Sequence, residues 1–298
     1  MSEKPRVSAR QVWKRFRLDE PGGGLPWRRP PKDHWALRDV NFTLADGGAL
    51  GLIGANGSGK STLLKLLAGV IQPTSGSVET QGRVIAVLNP TAGFHPDLSG
   101  LDNVRMLSTL QGFERAEIEE RLPLITEFSG LGDYVRQPLK SFSAGMMIRL
   151  GVSTAMHLDP DVLIVDEVLS AGDLAFQRKA VARARALRDE GCAVIVSTHA
   201  LGDLATLCDR LLLLEQGAVR SEGSADTVVA SYMQSVEEQG GRIQAGAPLV
   251  GGARPTTPDG RIRITHIKIA GATDPDMVTV QSGQPFELEI GWETAEPV

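Results

Sequence analysis

The chain has 298 residues, enough for one large domain and a smaller one. Its 31 Lys and Arg against 36 Asp and Glu leave a formal charge of −5, which argues against a nucleic-acid binder working through a global basic field. No run of about 18 apolar residues occurs and the opening MSEKPRVSAR lacks a signal-peptide core, so no segment is expected to cross a bilayer.

In chain order, RVSARQV and ALRDVNFTLADGG read as strands. The insert between them, DEPGGGLPWRRPPKDHW, is too rich in Gly and Pro for regular structure and is expected to be a surface loop. Its cluster Trp27, Arg28, Arg29 and Lys32 reads as solvated rather than as a lipid contact. The apolar strand ALGLIG then runs into a glycine turn and a leucine-spaced helix ended by Gly69.

That turn, Gly54, Ala55, Asn56, Gly57, Ser58, Gly59, Lys60 and Ser61, fits G-x4-G-K-[ST] between a strand and a helix, with Thr62 continuing the nucleotide-binding set. Backbone N–H groups of such a loop point inward at phosphate, and glycine permits the close approach. Lys60 is expected to reach the terminal phosphates of ATP and the Ser61 hydroxyl to bind Mg²⁺, a hard cation that prefers oxygen.

Val87–Gly100, VLNPTAGFHPDLSG, has two prolines, two glycines and no period, so it reads as a stiff joint. From Asp97 to about His157 the helical period dominates, and Ser143 is the expected N-cap of the helix that follows Phe142. VLIVDE places Asp166 at a strand end to hold the metal through water, and Glu167 beside it to polarise the attacking water. After a crossover helix, CAVIVSTHA is a second buried strand carrying His199, 32 residues beyond Glu167 and placed to bond the γ-phosphate. His34, His95, His157 and His266 read as structural, and Cys192 and Cys208 as packed free thiols.

Gln239–Gly260 holds six glycines and three prolines and reads as a linker. Beyond it the period becomes two, with Phe286, Leu288, Ile290 and Trp292 in alternation and a phase slip between Ile264 and Ile267 that predicts a bulge. Only about three strands follow, so the chain is expected to stop partway through a β-sandwich.

The phosphate loop, the Phe142–Met146 segment about twenty residues before Asp166, the Ser170–Asp173 turn and His199 occur in an order and spacing similar to the ATP-binding subunit of an ABC transporter, over roughly residues 6–232. The resemblance implies an α/β P-loop domain over 1–238, with an antiparallel β subdomain and a helical insertion at about 97–157, then a linker (239–260) and the start of a β-sandwich (261–298). It implies a head-to-tail homodimer in which the signature Ser143, Ala144, Gly145 and Met146 serves the partner's ATP, and Phe16, with Trp35 as rival, stacks on adenine. It also implies that Val87–Gly100 transmits rotation of the insertion, the surface that docks a membrane-spanning partner.

Two departures stand out. The usual signature ends Gly-Gly-Gln where this chain has Ala144-Gly145-Met146, and only Asn89 stands near the position of the family's metal-contacting glutamine. Together with GFHPDLSG these resemble the branch that exports bacterial O-antigen, capsule or teichoic acid. That implies a separate permease, a place on the cytoplasmic face of the inner membrane, and a glycan-binding tail. A soluble mechanochemical ATPase of the same superfamily is the alternative; only 82 positions separate Ser61 from Ser143, leaving no room for the long insert such proteins often carry.

Overall fold

A computed structural model describes residues 5–18, 32–166, 173–198, 204, 206–238, 262–269 and 288–294. The chain divides into two compact units, Met1–Gly240 and Gly241–Val298. The strands of the first are β1 (Val7–Leu18), β2 (Lys32–Leu44), β3 (Ala49–Ile53), β4 (Ser75–Thr80), β5 (Val84–Val87), β6 (Val162–Asp166), β7 (Ala193–Ser197), β8 (Arg210–Glu215) and β9 (Ala218–Gly223). Its helices are α1 (Lys60–Leu67), α2 (Gly100–Leu110), α3 (Arg115–Ser129), α4 (Ala144–Met156), α5 (Leu174–Asp189) and α6 (Ala225–Glu238).

Six strands form one sheet in the order β5-β6-β7-β3-β8-β9, parallel except for the antiparallel edge strand β9. Their uninterrupted apolar runs fit a sheet covered on both faces. Val162 and Ile164 pack on one side with Leu63, Leu64 and Leu67 of α1, whereas Leu163 and Val165 pack on the other with Leu150 of α4 and Phe176 of α5. Each such side chain contributes about 1.5–3 kcal/mol relative to exposure. Cys192, just before β7, and Cys208, just before β8, are buried free thiols pushed by desolvation to about 11 and about 12, so both stay protonated and unreactive near neutrality.

A second, antiparallel sheet has the order β2-β1-β4. Here the expectation of a loop up to Trp35 is corrected, because Lys32–Trp35 pair with Arg15–Leu18 and extend β2. Pairing overrides the local composition: Arg15 bridges Asp33 at 2.8 Å, and the Trp13 and Trp35 rings meet edge to face at 5.5 Å. The cluster members Trp27, Arg28 and Arg29 lie outside the described residues.

Between β5 and β6 the chain is helical, and the joint that leads into it is clamped rather than loose. Asn103, fully buried in α2, accepts from the His95 amide at 2.7 Å and donates to the carbonyls of His95, Leu98 and Ser99 at 3.0, 3.2 and 2.9 Å. The amides of Leu139 and Lys140 donate to Leu98 and Pro96 at 3.0 and 2.9 Å, tying the joint to the segment just before Ser143. Further along α4, a Cβ at Gly151 would stand 2.0 Å from the Pro90 carbonyl oxygen, so the helix and the joint touch backbone to backbone.

In the second unit β10 (Ile262–Ile269) pairs antiparallel with β11 (Leu288–Thr294), and the register shifts between Ile264 and His266, at the phase slip in the sequence. The linker Gln239–Gly260 and Phe286 lie outside the described residues.

Candidate nucleotide site

The phosphate loop leaves the sheet at Ile53 and enters α1 at Lys60. Gly54, Gly57 and Gly59 hold φ of +147°, +79° and +111°, a region that side chains avoid. A Cβ at Gly54 would stand 2.3 Å from the Leu214 carbonyl oxygen and one at Gly59 2.7 Å from that of Ala36, so the loop packs too closely for any other residue. Lys60, 7% exposed, donates to the carbonyls of Gly54 and Ala55 at 2.8 and 3.1 Å, which holds its ammonium across the loop.

The loop's foot is fixed by a hairpin tip. Gly217, between β8 and β9, donates to the Ser58 carbonyl at 3.0 Å and accepts from the Arg38 amide of β2 at 2.7 Å.

A cleft of about 240 Å³ opens over the loop, lined by Asn56, Gly57, Gly59, Lys60, Ser61 and Thr62 on one side and by Phe16, His34 and Ala36 on the other. Phe16 and His34 are cross-strand partners in β1 and β2 and share a face of that sheet. Trp35 is not part of the lining; it packs on Trp13, with the Arg15 guanidinium 5.6 Å from its ring. Of the two aromatic candidates, Phe16 is the one beside the phosphate loop. His34, read from the sequence as structural, stands at the cleft too, and only its pairing opposite Phe16 reveals it. Phe16→Ala is expected to weaken ATP binding by about 0.5–1.5 kcal/mol, roughly two- to twelvefold, with Trp35→Ala nearly silent. A fluorescent-nucleotide titration checks this, and the reverse order would remove Phe16 from the site.

Asp166 ends β6, and its buried Oδ1 has no hydrogen-bond partner among the described residues. With the Ser61 hydroxyl at the cleft, this supplies hard oxygen donors of the kind Mg²⁺ takes. No group of three or more His, Cys, Asp or Glu side chains arranged for a metal exists among the described residues.

Asn89 is placed differently. Its Oδ1 accepts from the amide and hydroxyl of Thr91 at 3.1 and 3.0 Å, an Asx turn, and the residue lines a small hollow with Pro90 and Gly151 rather than the cleft. The signature is likewise absent from the cleft lining. Ser143 caps α4 by accepting from the Met146 amide at 3.2 Å, and a Cβ on Gly145 would meet nothing nearer than Ser143 Oγ at 3.9 Å. The start of α4 is thus open, and the amides of Ala144 and Gly145 have no acceptor within the helix. The Met146 side chain instead packs against the core. Glu167, Ser170–Gly172 and His199 lie outside the described residues, immediately after the ends of β6 and β7.

A parallel sheet, a glycine loop cradling a lysine, and an aromatic wall across a narrow cleft define a P-loop nucleotide-binding protein. The chain belongs to the ABC transporter family, whose profile, described as "ABC transporter", matches residues 37–170. It is 42% identical over 205 residues to the O-antigen export system ATP-binding protein RfbB of Klebsiella pneumoniae, covering 69% of this chain and 83% of that one. It is 35% identical over 243 residues to the teichoic acids export ATP-binding protein TagH of Listeria monocytogenes serotype 4b, covering 80% of this chain and 72% of that one. Among solved structures, a dimeric ATP-binding cassette in a post-hydrolysis state bound to ADP and Pi shares the fold, with a TM-score of 0.63 at 21% identity over 74% of this chain and 98% of that one.

Proposed function

We propose that the chain is the ATP-hydrolysing subunit that powers export of a polysaccharide through a separate membrane permease. The observation that carries it is the cleft that joins Phe16 to the phosphate loop, in a chain whose relatives are named for polysaccharide export. These relatives also weigh against the soluble mechanochemical alternative.

In this reading two copies pair head to tail on the cytoplasmic face of the inner membrane. Phe16 takes the adenine, and the loop amides with Lys60 take the triphosphate. Ser61 and, through water, Asp166 hold Mg²⁺, which when bound offsets phosphate charge. Glu167 orients the attacking water and His199 bonds the γ-phosphate. The open start of α4, with Ser143 and Gly145, faces the partner's nucleotide, its free amides and positive dipole end suited to an anion. Asn89, the one candidate near the position of the family's glutamine, would reach the metal through water. The β10–β11 unit belongs to a glycan-binding sandwich.

The test is deletion of the gene for this chain in its own host, followed by complementation in trans. Surface polysaccharide should return with the wild type and stay absent with Lys60→Ala. Permease-independent hydrolysis with no surface polysaccharide would overturn the reading.

A further inference from the structure

We propose that Ser197 is a positioning residue for Asp166: its hydroxyl and Asp166 Oδ1 together hold one buried water in the hydration shell of the nucleotide's divalent cation. This rests on the reading of Asp166 as a water-mediated holder of that cation.

β6 and β7 end side by side, with Asp166 directly opposite Ser197, and on the other flank of Ser197 lies Leu52 of β3. Side chains alternate along a strand, so their faces can be followed to the strand ends. Val162, Ile164, Ala193, Ile195, Leu50 and Leu52 all pack in the cluster that includes Leu63, Leu64 and Leu67 of α1. Two residues further on, Asp166 and Ser197 fall on that same face, beneath the start of the phosphate-loop helix.

Ser197 is 0% exposed and its Oγ has no hydrogen-bond partner among the described residues. Asp166 Oδ1, in register with it, is equally buried and unpartnered, and so is Ser58 Oγ in the phosphate loop. Buried polar atoms are nearly always paired, and each exception calls for an explanation. Of the five such atoms among the described residues, Ser108 Oγ and Arg121 Nε lie in the helices between β5 and β6, whereas Asp166 Oδ1 and Ser197 Oγ belong to directly paired residues of adjacent strands. Every other residue of β7 is Ala, Val or Ile, and any of these would fill position 197 without stranding a hydroxyl. A site lined by a carboxylate oxygen and a hydroxyl is polar enough to keep a water. Outer partners of this kind orient a metal's ligands, and their loss typically weakens the metal about 10–100-fold.

The experiment measures binding of a fluorescent ATP analogue to the full chain in EDTA and across a MgCl₂ titration, for wild type, Ser197→Ala and Ser197→Thr. Ser197→Ala should bind like wild type in EDTA and melt no lower there. It should need about tenfold more Mg²⁺ for half of the Mg²⁺-dependent gain in affinity, and Ser197→Thr, which keeps the hydroxyl, should return toward the wild-type requirement. An unchanged Mg²⁺ requirement in Ser197→Ala, or an equal loss of binding in EDTA, would make Ser197 a packing residue and overturn the proposal. If wild type itself gains nothing from Mg²⁺, the reading of Asp166 fails, and this proposal with it.

Discussion

Glu167→Gln protein is expected to bind MgATP as wild type does, to hydrolyse it about 10²–10⁴-fold more slowly, and to run as a dimer when saturated with it. The amide matches the carboxylate in size, so the end of β6 and Asp166 stay as they are. What is lost is the ability to accept a proton from the attacking water. The phosphate loop, the Lys60 ammonium and the Phe16 wall are untouched, so binding survives. Because the signature at the start of α4 lies outside the cleft of its own chain, a trapped triphosphate should draw in a second copy to complete the site. Phosphate release and light scattering with size exclusion read both effects. A protein that stays monomeric at saturating MgATP beside its permease would sink the shared-site interpretation.

Gly151→Ala should have the second large effect, through sterics alone. The new methyl would stand 2.0 Å from the Pro90 carbonyl oxygen and 2.9 Å from its carbonyl carbon, both backbone atoms, so α4 or the joint must move. Overpacking of this kind costs about 1–3 kcal/mol, which for a unit of this size lowers Tm by roughly 2–12 °C. Since the joint is also clamped by Asn103 on its other side, the displacement should fall on the 88–95 stretch. Permease stimulation of hydrolysis should then drop more than nucleotide affinity. A Tm within a degree of wild type would show that the contact yields easily.

The parts legible in the sequence were those that local backbone chemistry dictates. A glycine loop that must bring amides onto phosphate, and apolar strands buried on both faces, announce themselves through residue type and period. The slip between Ile264 and Ile267 likewise fell where the β10 register shifts. What stayed hidden depends on partners distant in the chain. Lys32–Trp35 became strand only because Arg15–Leu18 lie opposite, and His34 reached the cleft by the same pairing. The Asx turn that occupies Asn89, and the stranded hydroxyl of Ser197, are facts of assembly with no local signature. The four bonds of Asn103 to the joint likewise have no local signature.

The Gly217 tip has a consequence for motion. It is buried and bonds both to Ser58 of the phosphate loop and to Arg38 of β2, the strand that carries His34 and pairs with Phe16. The strand pair that carries Phe16 and His34 is therefore tied to the phosphate loop through one buried hairpin tip. Opening and closing around nucleotide should bend the molecule elsewhere, and a reporter peptide spliced between Gln216 and Gly217, at what resembles a harmless hairpin, would break that tie.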